Sequence, residues 1–495
     1  MASWDAAVTS AHDVVVIGGG INGASVYAEL CRRGYRVLLV DRGDFACGSS
    51  QSSAMWVWGG LIYLVSLDFP TVMKLCASRD RLIRQVADWV RLAPNRYVAT
   101  RDDHRGSGFV KLALWLYWAL GACRRQAPRE QQDFPEKALL RPGRITASLL
   151  YEEAKVLPSD ARFVASWILP WIGPDRPALN YCEVTGGRVP TQGLWHIELR
   201  DRVTGREGVA RARWVVNAGG VWTDRLNQRL GVETGWKHVF SKGVFIVLRR
   251  DPRHATPLTF ENRLRDAYSL IPWGPVALWG PTETVSPDPD SGFSADASDV
   301  RLLLDELNRH LARPVGVEDI VALRCGVRPL AVRRSYDRSE YTLNISRRHV
   351  VARHDRQPWI SLYGGKLSSC LTLGAEVADT IARGMPGARP RPVPPRNGHP
   401  PADTERYPGL EEPVLSPRTA MEREHCWTLE DYLRRRTNIA QWVPRHGLGR
   451  TGEHAERIAV LAELFPGVDG VRGARALAAY DDRVAREFDQ VLSAV

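Results

Sequence analysis

A chain of 495 residues with 44% hydrophobic residues is too long for one simple core, so two or three domains sharing an interface are expected. The formal net charge of +11 comes from 67 Lys and Arg against 56 Asp and Glu. Its excess is almost entirely Arg, spread along the chain with no long basic run, which argues against a nucleic-acid partner. The eight cysteines form no CxxC pair and no Cys/His ligand spacing, so free thiols and no metal site are expected. The first dozen residues lack a basic and an apolar export region, and no stretch of about 18 apolar residues appears, so neither export nor a spanning helix is expected.

From Asp13 the chain reads DVVVIGGGINGASVYAELCRRGYRVLLVDRGD. Val14 to Ile17 form a buried parallel strand, and Gly18, Gly20 and Gly23 follow in GxGxxG register. Gly18 permits the tight turn, Gly20 lets the backbone approach a pyrophosphate, and Gly23 lets the next helix pack closely on the strand. That helix begins near Asn22, aims its free N–H groups at phosphate, and ends at Gly34. A second strand, 36–40, finishes at Asp41, whose carboxylate is placed for ribose hydroxyls. Alone the glycine spacing is weak; between two strands and before an acid about 20 residues on, it marks a dinucleotide site. NAD and FAD both remain open here, and the acid disfavours NADP.

The next stretch, SSQSSAMWVWGGLIYL (49–64), begins like a phosphate-wrapping loop and ends with two tryptophans beside a glycine pair. FVKLALWLYWALGAC (109–123) suits a buried helix better than one lying on a membrane surface. LWHIELRDRVTGREGVARARW alternates like a hairpin around Thr204–Gly205. The strand 214–216 then runs into Asn217, Ala218, Gly219 and Gly220, a second glycine turn that suits the adenine side. HVFSKGVFIVLRR and LIPWGPVALWGPTET read as antiparallel strands broken by Pro-Gly turns. WISLYGGKLSSC gives a strand 360–363, the Gly364–Gly365 turn, Lys366, and a helix with Ser368 and Ser369 in its first turn; that helix dipole can stabilise an anionic reduced flavin. Residues 385–403 are dense in Pro and Arg and read as an extended linker. TLEDYLRRRTN carries a Thr428 cap with Asp431 three residues on, and Arg434 to Arg436 read as a solvated face. The final segment repeats apolar residues at helical spacing.

Taken together, GGGINGA, the serine loop before GG-L-x-Y-L, NAGGVW, CGVRPL, YGGKLSS and LEDYLRRRTN resemble the FAD-dependent glycerol-3-phosphate dehydrogenases of the D-amino-acid-oxidase-like flavoprotein superfamily. The likeness runs from about Asp13 to the C-terminus and rests on the order of the motifs. It implies an α/β fold, with a Rossmann-like FAD-binding domain, an antiparallel-sheet substrate domain and a C-terminal helical domain. The expected boundaries are 10–385 for the oxidoreductase region, with FAD-binding segments about 10–80, 145–235 and 320–385 and substrate segments about 81–144 and 236–319. A Pro-rich linker at 386–412 and a helical domain at 413–495 complete it.

By that resemblance, Gly18, Gly20, Asn22, Gly23 and Asp41 hold the FAD adenosine and pyrophosphate. Ser49, Ser50 and Ser53 lie along the pyrophosphate and flavin, Val184 and Gly219 serve the adenine side, and Gly365, Lys366, Leu367 and Ser368 meet the pyrimidine end. Arg328 is the anionic-substrate clamp, with Lys366, Trp58 and Tyr63 as the other candidate catalytic residues. The resemblance also implies an electron acceptor, quinone or oxygen. It sets peripheral attachment at the inner face of the membrane beside a cytoplasmic location, and leaves a homodimer open.

Five family positions depart from the pattern. A Lys, a His, an Arg and a second His are here Met55, Trp58, Ile62 and Phe245, and a second Arg falls at or near Ser339, with Arg338, Arg333 and Arg334 as nearby substitutes. Desolvating a phosphate dianion against such walls costs several kcal/mol, so a substrate more apolar than glycerol 3-phosphate is expected. Without the histidines, Lys366 is the available base if burial lowers its pKa. An amine or amino-acid substrate, glycerol 3-phosphate itself, and a weakly catalytic flavin-binding accessory protein are the competing readings.

Overall fold

The computed structural model describes the whole chain except residues 1, 66, 190–192, 264–265, 287–293, 337–344, 346 and 386–401. Among the described residues the strands gather into two large sheets and one small pair. The first sheet has eight strands. At its centre Ala11–Ile17 lies parallel between Glu207–Asn217 and Val37–Val40, with Val14 opposite both Trp214 and Val37. Trp359–Tyr363 continues the parallel order on the far side of 207–217. These strands read as uninterrupted apolar runs because both faces of the sheet are covered, one by the helices 21–32, 160–168 and 370–384 and the other by the strands 182–188 and 195–201 with the first helix, so no position is left for alternation. Val14, Val15 and Val16 are fully buried. The expected hairpin forms from Trp195–Asp201 and 207–217, with Gly205 at φ +75° in its turn.

The second sheet has ten strands and is largely antiparallel. Its longest pairings are Trp236–Arg249 with Ile320–Arg333 and Val90–Thr100 with Ile145–Val156. Three stretches that fall within the expected FAD-binding segments, Trp56–Val57, 145–156 and 320–333, contribute strands to this sheet. Each is a strand whose hydrogen bonds are completed only by a partner in this sheet, which residue type alone does not reveal.

The helix Ser107–Leu120 corrects a second expectation. Only Val110, Leu114 and Tyr117 are buried, while Leu112 is 68% and Trp115 48% exposed. Its residues are apolar nearly all round, but one stripe suffices to cover the sheet, and the opposite face looks outward. Residues 404–405 pair with 414–415 and Tyr407 is buried, so the end of the expected linker is folded; 386–401 lie outside the described residues. The C-terminal helices pack on the second sheet, where Trp442 meets Trp273 edge-on at 5.5 Å. Among the described residues no helix is long and apolar enough to cross a membrane.

Candidate active site

The nucleotide end is built by the first strand, its turn and the helix Ile21–Arg32. Gly18 sits at φ +110°, and a Cβ on Gly23 would collide with the Gly18 carbonyl, so the close helix–strand approach requires both glycines. Asp41 accepts the Gly19 N–H at 2.6 Å and the Gly43 N–H at 2.8 Å. Burial raises its carboxyl to about 6, against those two donors. Gly20 caps the helix with no side-chain partner, and a Cβ there would meet only Ser50 Oγ, at 3.1 Å. Ser50 Oγ itself accepts the Ile21 N–H.

Asn22 reaches across the site. Its Nδ2 donates to the Gly364 carbonyl at 2.9 Å, and its buried Oδ1 has no protein partner. His238 Nε2 accepts the Gly364 N–H at 3.0 Å, and burial lowers its pKa to about 3, so the imidazole is neutral and fixes that turn. An open cradle at Gly20, an acid at the second strand's end and an orphaned acceptor beside Gly365 together fit a dinucleotide with a phosphate bridge. Of the two residues expected on the adenine side, the Gly219 N–H is held by Asn217 Oδ1 and the Val184 carbonyl accepts from Arg229.

A cavity of about 470 Å³ opens from this end, within the usual size of a small-molecule site. Ser49, Ser50, Ser53, Trp58, Tyr63, Arg328, Gly365, Lys366, Leu367 and Ser368 line it. Two serines are committed within the protein: Ser49 donates to the Val327 carbonyl, and Ser53 Oγ donates to Asp160 Oδ2 at 2.8 Å. Ser53 therefore braces its own loop. Met55, expected on the wall, is fully buried in the core at φ +56°, and its neighbour Trp56 lines the cavity, stacked on Trp58 at 5.6 Å. The left-handed backbone at Met55 turns the chain so that the side chain points inward. Behind this loop, Glu153 accepts the Gly59 N–H at 3.1 Å and pairs with Arg79 at 2.6 Å.

Arg328, expected as the anionic-substrate clamp, is itself paired with an acid. Its Nη1 lies 2.9 Å from Glu283 Oε2, and Arg347 Nη2 reaches the same oxygen at 3.1 Å. Ser241 donates to the other Glu283 oxygen at 2.6 Å. Gly243 is the floor of this arrangement, for a Cβ there would strike the Arg328 guanidinium. Arg333 and Arg334 do not substitute for the missing second arginine: one stacks on Trp236 at 4.1 Å and the other donates to the Thr234 carbonyl, in a separate open cleft. Ser339 and Arg338 lie outside the described residues.

Lys366 Nζ is in hydrogen-bonding contact with Tyr63 Oη and sits 4.5 Å from the centre of its ring. Burial, with Arg347 nearby, lowers its pKa to about 7. Among the described residues no histidine lines the cavity, and Phe245, buried, is on the lining where the resemblance places a family histidine. Sequence reasoning missed Arg347, Glu283 and Trp56. The eight cysteines are free thiols, and among the described residues no group of acids, histidines and cysteines gathers to hold a metal.

The run 434–436 is the largest correction. Arg435 and Arg436 are buried. Arg435 Nε donates to Asp44 Oδ2 at 2.6 Å, and Arg436 donates to both Asp44 oxygens at 2.7 and 2.9 Å. Arg434 and Arg435 both reach Gln51 Oε1. Thr428 and Asp431 cap each other's backbone N–H as the sequence suggests, and Asp431 also binds Arg435 and Tyr181. The C-terminal helices are thus tied to residues 44–51, the loop beside the nucleotide turn.

Residues 13–371 match the FAD dependent oxidoreductase family. The aerobic glycerol-3-phosphate dehydrogenase of Escherichia coli is 27% identical over 383 residues, covering 76% of this chain and 75% of that one. A glycerol-3-phosphate dehydrogenase of Mycobacterium leprae is 29% identical over 400 residues, covering 78% and 65%. Among solved structures, the glycerol-3-phosphate dehydrogenase of Bacillus halodurans with FAD superposes with a TM-score of 0.69 at 18% identity, covering 99% of this chain and 97% of that one. The chain belongs to the FAD dependent oxidoreductase family and is an FAD-using enzyme related to the glycerol-3-phosphate dehydrogenases.

Proposed function

We propose that this enzyme oxidises a C–H bond beside a hydroxyl group on a substrate more apolar than glycerol 3-phosphate. Gly18, Gly20, Asn22, Gly23 and Asp41 would hold the adenosine and pyrophosphate of FAD. Ser49, Ser50 and Ser53 would flank the bridge, with Val184 and Gly219 on the adenine side and Gly365 to Ser368 at the pyrimidine end. The flavin supplies the acceptor for the hydride. Arg328 and Arg347 bind and orient an anionic group of the substrate. Lys366, neutral in about half the molecules near pH 7, takes the hydroxyl proton at Nζ, with Tyr63 fixing its position. Trp58 and Phe245 exclude water.

The observation that carries this reading is the Arg328–Glu283–Arg347 group. Two guanidiniums share Glu283 while a second acid, Asp266, lines the same cavity, a balance that leaves at most one positive charge, enough for a monoanion and short of a phosphate dianion set in apolar walls. The absence of histidine from the described lining favours a second reading, an amine, which needs no hydroxyl base. We also assign the exposed apolar residues around Leu67, Met73 and Leu112 to peripheral contact with a membrane. A quinone there is the favoured electron acceptor, with oxygen as the alternative. The test is anaerobic bleaching of the flavin by alcohols, 2-hydroxy acids, amines and glycerol 3-phosphate in parallel. Fast bleaching by glycerol 3-phosphate alone would refute the reading.

A further inference from the structure

We infer, resting on the oxidoreductase reading above, that the substrate is an amphiphile: an alkyl chain ending in one monoanionic head, with the oxidised carbon beside the head. The cavity has two unlike ends. At one, Arg328 and Arg347 meet at Glu283, with Lys366 on the same lining. At the other, its lining passes between the second sheet and the helix 107–120, where Leu61, Leu64, Val110 and Leu114 form the wall. Arg105 and Asp266 are the charged side chains of the lining outside that group, and Arg105 is held by Glu261 at 2.9 Å. Ile62, Val65 and Phe109 belong to the lining and are also strongly exposed. The apolar end therefore opens at the apolar outer face, beside Leu112 and Trp115.

These two ends match the two ends of one kind of molecule. A small polyol would leave the apolar half of the cavity wetted, whereas an alkyl chain buries it and gains with every methylene. The head site carries two guanidiniums and Lys366 against Glu283 and Asp266, so a carboxylate head is matched in charge and in its fork geometry. A chain entering at the outer face passes Leu61, Leu64, Val110 and Leu114 on its way to the head site.

The test uses the flavin-loaded protein and two series. Straight-chain carboxylates from butanoate to tetradecanoate, below their micellar limits, are non-oxidisable probes for calorimetric binding; 2-hydroxy acids of the same lengths are probes for anaerobic flavin bleaching. Binding is expected to tighten roughly three- to fourfold per methylene, and Arg347→Gln to weaken every member about tenfold or more. Ala113→Trp, or Leu61→Trp if the first variant loses its flavin, is expected to abolish the gain with length. Affinity independent of chain length overturns the inference, as does a gain that survives both tryptophan variants. Binding of a neutral alkyl quinone in place of the carboxylates also overturns it, by giving the channel to the acceptor. Length-dependent binding without bleaching by any substrate would leave the amphiphile site standing and refute the reaction. Bleaching by short substrates with no gain from the chain would do the reverse.

Discussion

Replacing Lys366 by Gln removes the one titrating amine that the cavity holds against Tyr63. Burial and Arg347 set its pKa at about 7, down from the usual 10.5. The neutral form is the base, so the rate of flavin reduction by a hydroxy acid rises with pH. About one molecule in ten is neutral at pH 6 and about nine in ten at pH 8, so the parent's rate should climb roughly ninefold over that range and then level off. In Lys366→Gln the inflection should vanish and the plateau fall by about 10²–10⁴-fold, the usual worth of a positioned base. Stopped-flow anaerobic bleaching reads both quantities. Two controls separate chemistry from structure: the variant should keep its flavin, and added methylamine should restore part of the rate. A profile that keeps its inflection near pH 7 in the variant would refute the assignment of the base, and would move the titration to the substrate, as an amine requires.

Two further changes probe the parts that surround the chemistry. Asp44→Asn removes the carboxylate that Arg435 and Arg436 share, leaving Arg435 to Asp431 and Glu430 and Arg436 to Glu424 at 3.6 Å, which should cost up to about 3–5 kcal/mol, lower the melting temperature and loosen flavin retention; an unchanged melting curve would contradict this. The two arginines hold the Asp44 carboxyl at about 2, so its stabilisation is present above the normal carboxylate range and is lost as pH falls through about 2. The double variant Leu112→Gln, Trp115→Gln alters side chains that are 68% and 48% exposed. It should weaken sedimentation with anionic vesicles by at least about tenfold, and equal sedimentation of variant and parent would remove this face from the membrane contact.

The nucleotide turn was legible because its determinants are local. Gly18, Gly20 and Gly23 are spaced by the backbone geometry of one turn, and Asp41 follows at the end of the next strand. The parallel strands were legible for the same reason, as apolar runs between glycine turns. What stayed hidden depends on encounters between distant segments. Arg347 meets Glu283 across 64 residues of sequence, and in the chain it reads as part of a basic loop. Arg435 and Arg436 meet Asp44 across nearly 400 residues, so a run that resembles a solvated face is instead buried. The helix 107–120 misled in the opposite sense, since composition measures how apolar a helix is and not how much of it the protein has surface to cover. Met55 was read as wall and Trp56 overlooked because a left-handed residue reverses which side faces the cavity.

These hidden features divide the molecule by what each part has kept. The part proposed to hold the cofactor has the glycine turn, the acid at the second strand, the turn at Gly364–Gly365 fixed by Asn22 and His238, and a buried ionic cluster that clamps the C-terminal helices to residues 44–51. Buried ion pairs of that kind are costly to desolvate and worth keeping only if complete, because losing one partner strands the other charge. Their completeness is what an enzyme that must hold a flavin rigidly requires. Around the substrate the balance is different. Arg328 shares Glu283 with Arg347, Lys366 sits near neutrality, and Trp56, Trp58, Ile62 and Phe245 supply the wall. A site that had merely lost activity would have no reason to bring in a second arginine and balance it with a carboxylate. The arginine pair makes sense if the hydride chemistry is intact and the molecule that undergoes it has exchanged a second negative charge for an apolar body.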